Sequence, residues 1–149
     1  MPGRFICYVQ DMLKCSLLLL LAAGSMLADD SKAIKTRDGK CQAAVPASWN
    51  VGMITSMATS SNPKMNAIVS SPLRSTFDAV KQNAQKLYTN DKVTKDSATE
   101  FQMEGKSMSN QPNVYRAIQS GGQVCLIEVI YETGTIDQAR SVAVSLKTK

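Results

Sequence analysis

No histidine occurs among the 149 residues of this chain. That absence excludes Ser-His-Asp and Cys-His catalysis and removes the commonest zinc ligand. Cysteine is scarce too: there are four, none in a C-x-x-C pair, so a thioredoxin-type redox motif is not on offer. No phosphate-cradling glycine loop and no G-x-S-x-G nucleophile turn can be found. Aromatic residues make up only 5%, without the basic–aromatic interleaving that stacks on bases, so nucleic acid is not expected as a partner. No apolar run reaches the roughly 20 residues needed to span a bilayer.

What is present begins with a leader. Leu17–Leu21, Ala22 and Ala23 form an apolar core preceded by Lys14 and followed by small residues, then Asp29 and Asp30. This is the pattern of a secretory signal peptide over residues 1–28. Cleavage fits after Ala28, where charge begins, or after Ser25, and Met12 would open a leader of more usual length. The chain is therefore expected to be periplasmic or secreted, without stable membrane insertion. Removing Arg4, Lys14 and Asp11 with the leader leaves 121 residues and a net charge of +4. Its basic residues are scattered among acidic ones, the profile of an ordinary solvated surface.

Cys41 and Cys125 are the two cysteines of the mature chain, and an even pair in an exported protein reads as a disulfide. It would close a loop of about 85 residues, worth roughly 4–5 kcal/mol in the chain-entropy picture.

Residues 29–40 read as a flexible lead-in and 41–149 as one α/β domain. Cys41, Ala43 and Val45 alternate as a strand that Pro46 stops, and Trp49, the sole tryptophan, follows at the edge of the core. Val51–Ala58 and Met65–Val69 read as strands around a turn at Ser60–Pro63. Ser75 is positioned to cap a helix, with Asp78 at its third position, an apolar face of Phe77, Val80, Ala84, Leu87 and Tyr88, and an end near Asn90. Val93–Lys106 alternates as a polar strand or hairpin.

Gly121-Gly122 separates Val114–Ile118 from Val124–Tyr131, and two glycines tolerate the positive φ angles of a tight hairpin turn. That turn sets Ile118 opposite Cys125, Arg116 opposite Ile127 and Tyr115 opposite Glu128. The second strand is apolar on both faces, as a central strand covered on both sides would be. Thr135 caps a last helix with Gln138 at its third position and Ile136, Ala139, Val142, Ala143 and Leu146 inward. The fold class is α/β in the α+β sense: a mainly antiparallel sheet with helices on both faces.

Val45-Pro46-Ala47-Ser48-Trp49 after a first strand, a mid-chain helix, paired strands and a closing helix ending in Ser145-Leu146-Lys147 together resemble the PsbP/DcrB-like family, from about Cys41 to Lys149. The resemblance implies a non-enzymatic binding or accessory scaffold. The family embraces photosystem accessory subunits, a Ran-binding import factor, envelope lipoproteins and secretion-effector chaperones. Here Ser25 stands where a lipidated cysteine would be, so no lipid anchor is expected.

No enzyme activity, cofactor or metal is expected. Glu128 and Glu132, beside Tyr115 and Arg116 across the hairpin, form the only carboxylate constellation, and such neighbours read as a surface polar cluster. Met53, Met57, Met65, Met103 and Met108 read as ordinary apolar residues. The expected partner is another envelope or secreted protein, bound in an accessory, inhibitory or immunity role. The alternative is a small-ligand or cell-wall-binding domain. Trp49, Tyr115 and Arg116 are the candidate contact residues.

Overall fold

The computed structural model describes residues 30–149; the expected leader and its cleavage sites lie outside the described residues. Ten strands and two helices follow in the order β1 (Ser31–Lys35), β2 (Cys41–Pro46), β3 (Asn50–Val51), β4 (Met57–Ser61), β5 (Lys64–Ser70), α1 (Phe77–Leu87), β6 (Thr89–Asp96), β7 (Glu100–Lys106), β8 (Pro112–Ser120), β9 (Gln123–Tyr131), α2 (Ile136–Val144) and β10 (Lys147–Thr148). Seven strands form one antiparallel sheet in the order β3-β4-β5-β9-β8-β7-β6, and β1-β2-β10 form a second, smaller sheet.

β9 stands at the centre of the large sheet, which explains its apolar residues on both faces. Cys125, Ile127 and Val129 enter a core shared with β2, Trp49 and α2. Val124 and Leu126 enter a second core with Phe77, Val80 and Ala84 of α1 and with Phe101, Met103, Tyr115 and Ala117. One helix therefore lies on each face of the sheet, the α+β arrangement read from the sequence. The hairpin forms around Gly121 and Gly122 at φ +55° and +77°, and pairs Ile118 with Cys125, Arg116 with Ile127 and Tyr115 with Glu128. Cys41 and Cys125 are joined as a disulfide, which ties the small sheet to the central strand.

Four local expectations change. The segment read as a flexible lead-in contains β1, whose Ile34 is fully buried, and Thr36 closes its turn by hydrogen bonds with Cys41. Val51–Ala58 is not one strand: residues 52–56 make a turn with Met53 and Ile54 exposed, and pairing resumes at Met57. The cap of α1 is Thr76, not Ser75. Its hydroxyl accepts the Ala79 N–H at 3.2 Å, so Asp78 sits in the first turn without completing a capping box. α1 ends at Leu87, whose side chain is exposed, because Tyr88 turns extended and leads straight into β6. Thr135 does cap α2 and accepts the Gln138 N–H at 3.3 Å.

Candidate functional site

Strand alternation sends Met65, Ala67 and Val69 of β5 into the core beneath α2, so Asn66 and Ile68 stand on the opposite, α1 face. α1 packs chiefly on β8 and β6. On that same face the register builds two rows across β5, β9 and β8. Asn66, Ile130 and Asn113 make one; Ile68, Glu128 and Tyr115 make the next.

These rows concentrate polar groups where a sheet is otherwise apolar. Asn113 is 1% exposed; its Nδ2 donates to Glu128 Oε1 at 3.1 Å, while its Oδ1 is buried without a hydrogen-bond partner among the described residues. Asn66 Oδ1 is buried and unpartnered in the same sense. An unmet buried acceptor costs about 1–3 kcal/mol, so two of them flanking Ile130 are not explained by packing.

Two phenols complete the patch. Tyr88, at the end of α1, and Tyr115 lie with ring centroids 5.5 Å apart. Burial pushes the Tyr88 phenol well above its ordinary range, and the Glu128 charge and a hydrogen bond to Glu128 push it further. Tyr115 is raised by burial first and then by the Glu128 charge. Both phenols are therefore neutral at physiological pH beside the carboxylate. Gly105 stands next to Asn113 in the register, and a Cβ there would come within 3.1 Å of the Thr89 carbonyl oxygen. The absence of a side chain lets β6 pass close over this corner of the sheet.

The residues singled out in the sequence do not assemble into one site. Trp49 is 1% exposed in the core beneath α2, whereas Tyr115 belongs to the core beneath α1, so the sheet separates them. Arg116 is spent on structure. Its Nε donates to Glu100 Oε1 at 2.9 Å, and its Nη1 donates to the carbonyls of Ala143, Val144 and Leu146 at 3.2, 2.7 and 3.2 Å, closing the C-terminal end of α2. Of the carboxylates, Glu128 belongs to the asparagine–tyrosine patch, while Glu132 bonds Lys64 at 2.6 Å and Gln111 beyond the strand end. Asn66, Asn113 and Tyr88 were not singled out by sequence reading. The available signal was an asparagine inside each of two apolar strands, a residue type depleted in sheets.

The patch offers acceptors: a carboxylate and two amide oxygens, bordered by tyrosine rings and Ile130. Its chemistry suits a donor-rich or cationic group, held by charge-assisted hydrogen bonds and against aromatic rings. Among the described residues no three His, Cys, Asp or Glu side chains gather to hold a metal ion.

No protein-family model matches the chain, and no match is found among curated proteins. In fold it is similar to the solution structure of cyanobacterial PsbP (CyanoP) from Synechocystis sp. PCC 6803, with a TM-score of 0.49 and 11% identity over 85% of this chain and 96% of that one.

Proposed function

We propose that this chain is a non-catalytic binding domain that works outside the cytosol, and that it holds a partner protein by accepting a lysine or arginine side chain at the Asn66–Asn113–Glu128 patch. The role is that of an accessory, inhibitor or immunity factor of the bacterial envelope. One observation carries this reading: two buried amide oxygens without partners among the described residues stand in one row beside a carboxylate, on the same face as two neutral phenols. An incoming ammonium or guanidinium supplies the donors these oxygens lack. The leader at Leu17–Ala23 and the Cys41–Cys125 bridge support work in an oxidising compartment. A ligand site built on Trp49 is disfavoured, because that ring is enclosed in the core.

The test is retention of the protein on resins bearing acetyl-Gly-Arg-Gly, acetyl-Gly-Lys-Gly or the norleucine equivalent. Retardation on the two cationic resins, absent on norleucine and lost in Glu128→Gln, is the expected result. Equal behaviour on all three resins would contradict the reading.

A further inference from the structure

The end of the large sheet away from the Asn66–Asn113 row gathers three loops, two with exposed apolar tips and the third rich in cations. Residues 52–56 lead into β4 with Met53 103% and Ile54 67% exposed, and residues 71–75 leave β5 with Leu73 86% exposed. Hydrogen bonds bring these loops and the turn after β1 to the same end. Lys35 N donates to the Thr55 carbonyl at 2.8 Å, and Val69 N donates to the Ser56 carbonyl at 2.9 Å. Gln123 Nε2 donates to Ser71 Oγ at 2.6 Å beside the disulfide that anchors the residue after Lys40.

Cations cluster with the apolar tips. Lys35, Arg37, Lys40 and Arg74 are all exposed, and none forms an ion pair among the described residues. Asp38 is the one carboxylate in the 36–40 turn, and it is engaged by Thr36 Oγ1 at 2.6 Å and by the Lys40 N–H at 3.1 Å. Elsewhere among the described residues Lys64, Lys81, Lys95, Arg116 and Arg140 are matched to an acid, while Lys32, Lys86, Lys92, Lys106, Lys147 and Lys149 are not, so what distinguishes this end is the proximity of its cations to exposed apolar side chains. Apolar tips protruding beside unmatched cations are the combination that partitions into an anionic bilayer surface: the tips enter the headgroup boundary and the cations meet lipid phosphates. A protein partner of ordinary kind would present a flatter, packed surface to these side chains.

We infer that this loop end is a peripheral docking surface for an anionic lipid bilayer. Among the described residues no helix is long and apolar enough to cross a membrane, so the contact is superficial and reversible. The Asn66 row lies toward the other end of β5 and β9, about 13 Å from Ser70 at about 3.3 Å per strand residue, and is not part of the docking end. The inference does not depend on what that patch binds.

Sedimentation of the exported, leader-free protein with vesicles of phosphatidylglycerol and phosphatidylcholine (1:3), against phosphatidylcholine alone, tests it. Binding to the anionic vesicles only, weakened at high salt, is expected. Each basic residue near an anionic surface contributes roughly fivefold to partitioning, so Lys35→Glu with Arg37→Glu reduces binding by at least about tenfold. Met53→Ser, Ile54→Ser and Leu73→Ser, at exposed positions, reduce it as well. Equal binding to neutral vesicles, or binding that the serine variants leave unchanged, would overturn the inference. Preferential capture by poly-glutamate beads, independent of the apolar tips, would overturn it in favour of an acidic protein.

Discussion

Asn66 and Asn113 stand on either side of Ile130 in one row across β5, β9 and β8, and each keeps a buried amide oxygen without a hydrogen-bond partner among the described residues. A sheet built for stability alone would place Val or Thr at such positions. The arrangement leaves two acceptors unmet within the sheet face at a cost in stability.

Asn66→Val is therefore expected to leave stability unchanged or raise it by about 1 kcal/mol, since it removes an unmet acceptor and adds a β-branched side chain to a strand. Urea unfolding of the variant checks this. A loss of more than about 2 kcal/mol would mean that the amide is structural.

The two phenols report on Glu128. Their folded-state ionisation is raised above the ordinary phenol value of 10.0, so their contribution to stability is whole below that value and drains away as pH rises above it. In Glu128→Gln, ultraviolet titration should show both phenols ionising at lower pH than in the parent chain, yet still above the ordinary range, because burial is the larger cause. Coincident titration curves for parent and variant would place the carboxylate elsewhere.

Arg116 should behave as a structural clamp. Arg116→Met removes the guanidinium from the carbonyls of Ala143, Val144 and Leu146, of which Ala143 keeps the Leu146 N–H, and leaves the half-buried Glu100 with Lys95 alone, a loss of about 2–4 kcal/mol. Arg116→Lys recovers only part of it, because one ammonium cannot span Glu100 and the helix end as the guanidinium fork does. Full stability in Arg116→Met would return this residue to the list of free contact residues.

The acid limb of stability belongs in part to Glu100. Burial raises its carboxyl, but hydrogen bonds from Lys95 and Arg116, with their charges, outweigh burial and hold it below the ordinary 4.5. Its contribution is complete above that value and is lost as pH falls through the lower folded-state value. The urea midpoint of Glu100→Gln should accordingly depend less steeply on pH below 4.5 than that of the parent. Parallel pH profiles would remove Glu100 from the acid response.

The parts of the fold legible in the sequence were those governed by local rules. Gly121-Gly122 admits one tight turn, and the alternation on either side then dictates every cross-strand pair from Ile118–Cys125 to Tyr115–Glu128. Thr135 and Gln138 likewise mark a helix start by spacing alone. Where two hydroxyls compete, as at Ser75 and Thr76, only the packed geometry decides which one caps. Met53 and Ile54 read as strand because apolar residues usually face a core; here they face outward on a turn. The polar patch escaped notice because it exists only after β5 pairs with β9, a contact between segments far apart in the chain. Asparagine inside an apolar strand marked each half, and nothing local joined the halves. Trp49 and Tyr115 looked alike as contact residues, since a sequence cannot show that one sheet separates them.

The side-chain amide signals of Asn66 and Asn113, followed by two-dimensional ¹⁵N NMR while N-acetyl-arginine amide is added at pH 7, give the sharpest test of the patch. Saturable shifts at both amides and at the backbone of Glu128 and Ile130, abolished by Glu128→Gln, are expected. Shifts scattered over the acidic surface residues, or persisting unchanged in Glu128→Gln, would contradict a cation-accepting site on this face of the sheet.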